Sequence, residues 1–303
     1  MSNRKGFVTV ATGNEKYYRL AQNLYLSYKK RGNGKYPFAL ICDRENEFSA
    51  MFDDVVLVQN IRKSTVDKLL MQHSPYDESI FIDADTLVLH CIDDLWDVFR
   101  NQDDVSVFGC TLPLDSERGW FTYAGSGKYK SQIKYLISMN GGIYYFRKTK
   151  KAEQVFHKAI EIIDDYSTID FKYFSQPEDE PLMAMSMVLN ECRPCTTSYD
   201  MIILPACERK ITTDFAGNVY EDKKLSSAKM IHFSTPRTEL FLYNYLNEIN
   251  HIKKRLSNRR DYLHTKAKYA SKDLKFNVLH FGGAILRKNG LDTVVEKLKK
   301  VMH

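Results

Sequence analysis

The feature that most constrains the fold is a rhythm of short apolar runs separated by helical patterns. Residues 7–11 (Phe-Val-Thr-Val-Ala) read as a buried strand, and Thr12-Gly13-Asn14 as the loop that follows. Tyr17, Leu20, Ala21, Leu24 and Tyr28 then share one face at helical spacing. Lys29-Lys30-Arg31-Gly32 supplies the cations and glycine that suit a helix C-terminus. Residues 38–42 and 55–58 read as two more buried strands, 64–71 as a helix and 79–82 as the next strand. Such alternation predicts an α/β fold, a mostly parallel central sheet with helices on both faces. Ligands of such sheets bind at the carboxyl ends of the strands. Downstream, residues 142–146 and 228–233 read as strands, and 152–163 and 181–189 as helices.

A chain of 303 residues has room for one large domain or two modest ones. Hydrophobic residues at 44% and charged residues at 27% exclude wholesale disorder. No apolar run approaches the ~18 residues of a membrane span. The N-terminus enters a short alternating segment rather than a signal-peptide core, so a cytoplasmic location is expected. The six cysteines are expected free, and Cys192-Arg-Pro-Cys195 is a lone CxxC without a second pair or histidines at finger spacing. With no repeat or linker, the expectation is one catalytic domain over residues 1–245 and an extension over 246–303.

The run Ile80-Phe81-Ile82 wants burial, and it stops at Asp83-Ala84-Asp85. Spacing of two places both carboxylates on one side of an extended backbone, at the mouth of the sheet. Two anionic groups aimed at one point repel unless a cation lies between them. A hard divalent ion, Mn²⁺ or Mg²⁺, fits and would bridge to substrate phosphates. A DxD in a solvated loop is the plainer reading elsewhere; the buried strand before it and the small Ala84 favour the metal here.

Residues 81–89 followed by Ile92-Asp93-Asp94-Leu95-Trp96 resemble the DxD region of nucleotide-sugar-dependent glycosyltransferases of the GT-A fold. The text is most similar to family 8, the glycogenin and lipopolysaccharide-galactosyltransferase group, in motif order over roughly residues 6–240. The resemblance implies a Rossmann-like sheet with flanking helices, followed here by a basic helical C-terminal extension. It implies metal-dependent transfer of a hexose from a UDP-sugar to a glycan, glycolipid or protein hydroxyl, with retention. It assigns the donor to Thr9, Ala11, Thr12, Tyr17, Lys68, Asp83, Ala84, Asp85, Gly141, Gly142 and Arg237. Tyr17 would stack on the base; by periodicity alone it opens the apolar face of its helix.

The same resemblance gives Asn140 a contact with the sugar; locally, Asn140-Gly141-Gly142 is also a strong turn signal. Glu178-Asp179-Glu180-Pro181 is good helix-start chemistry. The family places Asp-Gln here beside the reacting carbon, so Asp179 matches and Glu180 departs. A carboxylate in that place opens an inverting alternative, with Asp179 or Glu180 as base. His232-Phe233 falls where the family has its His-Phe metal motif, and an imidazole completes a two-Asp site. His280-Phe281-Gly282-Gly283 is the rival; its local text is closer, while motif order favours His232. Arg237 would replace the family's diphosphate-binding lysine.

Residues 119–127, with Trp120 and Tyr123 among glycines, read either as an acceptor-facing loop or as a surface loop with a buried aromatic anchor. A nucleotidylyltransferase would open with a glycine-rich phosphate loop, which residues 11–14 lack. A non-catalytic carbohydrate-binding protein would not need Asp83, Asp85, Asp179 and His232 together. The net charge of +6 is too mild to imply nucleic acid, and it is uneven. Residues 251–303 hold 14 Lys and Arg against 4 Asp and Glu, while residues 1–250 hold 30 against 34. The dense part, residues 251–275, reads as a solvated helix or as a peripheral contact with anionic membrane.

Overall fold

A computed structural model describes residues 4–204, 209–251 and 259–277. By internal contacts the chain divides into two units, residues 1–202 with 228–232, and residues 203–227 with 233–303. The boundary expected after residue 245 falls inside a helix, Phe241–His251, where no linker separates the two sides.

The first unit is built on a six-stranded sheet. Its strands are β1 (Lys5–Ala11), β2 (Phe38–Cys42), β3 (Asp54–Leu57), β4 (Glu78–Ile82), β6 (Val105–Leu112) and β7 (Leu136–Arg147), in the order β3-β2-β1-β4-β7-β6. The pairings from β3 to β4 are parallel, and β7 runs antiparallel to both β4 and β6. The central runs are buried: Phe7, Leu40, Ile41, Ile80 and Ile82 are all inaccessible to solvent. Helices α1 (Glu15–Arg31), α2 (Leu95–Phe99), α3 (Lys150–Asp165) and α4 (Asp179–Leu189) belong to the same unit. Asn14 caps α1 by accepting from the Lys16 N–H. Residues 65–73 are a 3₁₀ segment rather than the α-helix expected there.

The α1 face differs by one residue from the periodicity reading. Tyr18, not Tyr17, is buried, and Tyr17 is 43% exposed. The Tyr18 hydroxyl donates to Asp43 Oδ1 at 2.6 Å, just past the end of β2, which draws that ring inward. Strand β5 (Thr86–Val88) continues from the DxD and pairs antiparallel with β12 (Met230–Phe233), with His232 opposite Thr86. β8 (Met201–Leu204) completes that small sheet.

The second unit contains the antiparallel strands β9 (Ile211–Thr213), β10 (Val219–Glu221) and β11 (Lys224–Leu225). Its helices are α5 (Phe241–His251) and α6 (Arg259–Asn277). Phe241, Tyr245 and Tyr262 form an aromatic cluster with centroids 5.1–5.4 Å apart. The Tyr262 and Tyr245 hydroxyls donate to the Thr213 and Phe215 carbonyls, tying both helices to the end of β9 and the turn that follows it. The expected basic helix is therefore present from Arg259 onward, anchored through Tyr262. Arg259, Arg260, Lys266, Lys268 and Lys272 are exposed along it. No helix among the described residues is long and apolar enough to cross a membrane.

Candidate metal centre

The sheet's direction change builds the site. β4 pairs with β7 in a register that ends at Ile82↔Ile143, so β7 continues past the last residue of β4. The Asp83 N–H donates to the Gly142 carbonyl at 2.9 Å, which fixes the DxD against residues 140–142. The chain then turns: the Thr86 N–H donates back to the Asp83 carbonyl at 3.0 Å. The two carboxylates are thus brought together by a turn, not by the extended backbone expected from their spacing. β12 delivers the third group, because pairing with Thr86 carries His232 to the same turn.

One ligand atom each from Asp83, Asp85 and His232 lies within 4.8 Å of the others. His232 Nε2 stands 3.1 Å from Asp85 Oδ1 and 3.5 Å from Asp83 Oδ2. Asp85 Oδ1 nevertheless has no hydrogen bond, so its contact with the imidazole is electrostatic. Burial would pull the His232 pKa down, but Asp83 and Asp85 more than reverse this and push it up to about 10. Burial and the neighbouring Asp83 charge push the Asp85 carboxyl upward. Asp83 goes the other way: burial opposes ionisation, but Lys68 and His232 outweigh it and hold the carboxyl well below the usual range.

Lys68, from the 3₁₀ segment, is the second centre of charge. Its Nζ lies 2.8 Å from Asp83 Oδ2 and 3.4 Å from Asp179 Oδ1. Burial opposes its charge, yet Asp179 and Asp83 raise its pKa well above the usual lysine value. Asp179 is 3% exposed, and burial pushes its carboxyl up to about 7, with Glu180 and Asp83 adding to a rise that Lys68 resists. Glu180 is raised by burial too, partly offset by the Gly141 N–H, which donates to its Oε1 at 2.5 Å.

Asn140-Gly141-Gly142 is not a turn. All three residues lie inside β7. They occupy a stretch where the β6–β7 ladder slips, between the pairs Gly109↔Met139 and Val107↔Tyr144. Neither glycine has a positive φ, so conformational freedom is not what they provide. They provide space. A Cβ on Gly142 would sit 2.7 Å from His232 Nδ1, and one on Gly141 would sit 2.8 Å from the Tyr144 hydroxyl and 3.0 Å from Asp179 Oδ2. Asn140 turns its side-chain oxygen back to accept from the Gly142 N–H at 3.1 Å. Helix α4 starts at Asp179, two residues before the expected Pro181, so Pro181 still falls in the first turn, where an N–H is not needed.

The remaining expected donor residues lie on both units. In the first, Thr9 and Ala11 are buried in β1, and the Thr9 hydroxyl has no partner. The Thr12 hydroxyl donates to Asp67 Oδ2 at 2.7 Å. Arg237 belongs to the second unit, where its guanidinium lies over the Phe276 ring and donates to Ser234 Oγ at 2.8 Å. Phe121, not Trp120 or Tyr123, is the fully buried anchor of the 119–127 loop. Lys130 Nζ lies 5.2 Å over the Tyr123 ring. Cys192 and Cys195 are free and buried. His280 lies outside the described residues.

Two residues were missed by sequence reading. Tyr144 is buried with its hydroxyl unpaired beside Asp179 and Glu180, which raise its pKa after burial itself. Its hydroxyl lies beside Gly141, where an added Cβ would sit 2.8 Å from it, a contact that the sequence does not show. Asp67 accepts from Thr12 Oγ1 and from the Arg62 and Lys63 N–H groups, joining the β1 loop to the segment that carries Lys68.

The donor set fits a divalent ion. Two carboxylates and an imidazole are chemistry for Mn²⁺ or Mg²⁺. Asp85 Oδ1, Asp179 Oδ2, His232 Nδ1 and the Tyr144 hydroxyl are buried polar atoms without hydrogen-bond partners.

No protein-family profile matches the sequence, and no curated protein matches it. Among solved structures, the chain is similar to an apo structure of the bifunctional glycosyltransferase WbbM, with a TM-score of 0.51 and 14% identity over 88% of this chain. It spans about half of that protein, 52% of its length. It also matches the galactosyltransferase LgtC bound to donor and acceptor sugar analogs, at TM-score 0.47 and 13% identity over 87% of this chain and 96% of that one. A third match is the glycosyltransferase GlyE of Streptococcus pneumoniae TIGR4, at TM-score 0.42 and 13% identity over 65% and 46% of the two chains. At such identity the WbbM likeness shows a shared fold. The α/β architecture is the GT-A type that the motif order implied, with its mostly parallel sheet and flanking helices.

Proposed function

We propose that the protein is a glycosyltransferase that moves a hexose from a UDP-sugar to a hydroxyl acceptor, with a divalent ion, Mn²⁺ or Mg²⁺, held by Asp83, Asp85 and His232. The observation that carries this reading is the convergence of those three residues at the carboxyl end of β4. A bound ion would neutralise the negative charge of the departing diphosphate. Lys68 holds Asp83 ionised and oriented, and holds Asp179 by its other oxygen contact. Thr9, Ala11, Thr12 and Tyr17, at and beyond the end of β1, are assigned to the nucleoside, and Ala84, Gly141 and Gly142 to the close approach of the donor. Arg237 is assigned to the diphosphate.

Retention at the anomeric carbon follows the family resemblance. Inversion is the second reading, favoured by Asp179: a carboxyl raised to about 7 is poised to accept the acceptor's proton near neutral pH. The anomeric configuration of the product, read by NMR, decides between them. A peripheral contact of α6 with anionic lipid belongs to the same proposal. It is supported by its exposed cations and by Leu263 and Leu274, 52% and 66% exposed. Equal co-sedimentation with neutral and anionic vesicles would reject that contact.

Calorimetry of UDP binding with and without Mn²⁺ tests the core of the proposal. Saturable binding only with the ion is expected; identical titrations in Mn²⁺ and in EDTA would overturn it.

A further inference from the structure

Three consecutive acids, Glu178, Asp179 and Glu180, open helix α4, and each has its own partner outside the helix. The Thr65 hydroxyl donates to Glu178 Oε2, Lys68 Nζ lies 3.4 Å from Asp179 Oδ1, and the Gly141 N–H donates to Glu180 Oε1 at 2.5 Å. A helix dipole favours acids in its first turn wherever they point. Here they point away from the helix, to the 3₁₀ segment and to β7.

The Gly141 contact has a specific cause. The register of β7 with β4 stops at Ile82↔Ile143, so Gly141 lies beyond it. On the other side of β7, Phe108 alone stands opposite residues 140–143, between the pairs Gly109↔Met139 and Val107↔Tyr144. Neither ladder register includes Gly141, yet the residue is buried. A buried N–H without an acceptor is costly, and the Glu180 carboxylate is the acceptor. The bare Cα of Gly141 lets it approach, since a Cβ there would sit 2.7 Å from Glu180 Cγ.

The strand held in this way carries the metal centre's backbone. The next residue, Gly142, accepts from the Asp83 N–H at 2.9 Å, and a Cβ on it would sit 2.7 Å from His232 Nδ1. The two neighbouring carboxylates of α4 therefore differ. Asp179 Oδ2 has no hydrogen-bond partner, while Glu180 Oε1 is committed to the backbone of β7.

We propose that Glu180 is a positioning residue, a side-chain staple that takes the place of the missing ladder bond at Gly141 and so holds the strand against which Asp83 and His232 are set. Of the two carboxylates, Asp179 is left as the one with a free oxygen. The positioning role rests on the metal-centre reading; the hydrogen bond does not. A hydrogen bond from an N–H to a carboxylate is stronger than a neutral one, which suits a single bond that replaces a ladder.

The test uses the full chain. Labelling glycine nitrogen and asparagine carbonyl carbon isolates the three Asn-Gly amides, Gly34, Gly141 and Gly290, and the signal missing in Asn140→Ser is that of Gly141. Its hydrogen exchange should be slow in the parent protein and about 10–100-fold faster in Glu180→Ala. Glu180→Asp keeps the charge but shortens the reach, and should lose protection as well. Glu180→Gln keeps an oxygen at the same reach and should regain most of it. Mn²⁺ affinity, by calorimetry, should fall about 10–100-fold in Glu180→Ala and be largely regained in Glu180→Gln. Parent-like exchange in both Glu180→Ala and Glu180→Asp overturns the proposal. Unchanged Mn²⁺ affinity in Glu180→Ala, or no Mn²⁺ binding by the parent, does the same. UDP is titrated on the same samples: Mn²⁺ bound without UDP would leave the staple standing and the transferase reading fallen, and parent-like exchange in both variants beside Mn²⁺-dependent UDP binding would do the opposite.

Discussion

Charge is dense in two regions of this molecule, and burial makes them different objects. Around Asp83 the charged groups are enclosed, and each is held by an opposite charge: Lys68 between Asp83 and Asp179, His232 between Asp83 and Asp85. Along α6 the cations stand in solvent. Enclosed charges interact strongly and shift one another's pKa values, whereas exposed ones are screened. The net charge of +6 averages over both and describes neither.

If this contrast is right, substitutions in the two regions should differ widely in effect. The largest is expected for Lys68→Met, which leaves Asp83 and Asp179 facing each other without their cation. Removing one partner of a buried ion pair costs about 3–5 kcal/mol, read as a lower denaturant midpoint with unchanged slope. Next comes Gly142→Ala, whose new Cβ would sit 2.7 Å from His232 Nδ1. The fold should survive while Mn²⁺ affinity falls roughly 10–100-fold, the range for displacing a ligand's support, measured by calorimetry.

A smaller effect is expected at Asp43, which binds the loop after β1. Burial pushes its carboxyl up, but the Tyr18 hydroxyl, the Gly13 N–H and Arg44 outweigh burial and lower it overall. A lowered folded-state pKa adds stability above the unfolded value of about 3.9, and that contribution is lost as pH falls through the lower folded value. Urea midpoints of Asp43→Asn should therefore show a shallower loss between about pH 5 and pH 3 than the parent protein. The smallest effect belongs to α6. Lys272 pairs with Glu239 at 3.5 Å with both side chains more than half exposed, so Lys272→Ala should change stability by less than about 1 kcal/mol. A loss there as large as that of Lys68→Met would erase the contrast.

What was legible in the sequence follows the same division between local and long-range causes. The run ending at Asp83-Ala84-Asp85 was readable because a buried strand is a local pattern, and its end is a place in the sheet. The order of motifs put Asn140, Asp179 and His232 on the same list, and β7, α4 and β12 bring them into one unit. The local conformation of Asn140-Gly141-Gly142 differs from the turn expected because a strong turn signal and a need for space look identical in sequence. Only the contacts with His232 and Asp179 separate the two. Lys68 matched loosely by position, and nothing local shows that its ammonium bridges two carboxylates from different elements.

The central claim is that Asp83, Asp85 and His232 hold one divalent ion. Electron paramagnetic resonance of Mn²⁺, titrated with protein in the presence of UDP, tests it most directly. The free-ion signal should fall to its end point at one equivalent of the parent protein and persist undiminished with His232→Ala. Loss of the signal to the same extent with His232→Ala, or no loss with the parent protein, would contradict it.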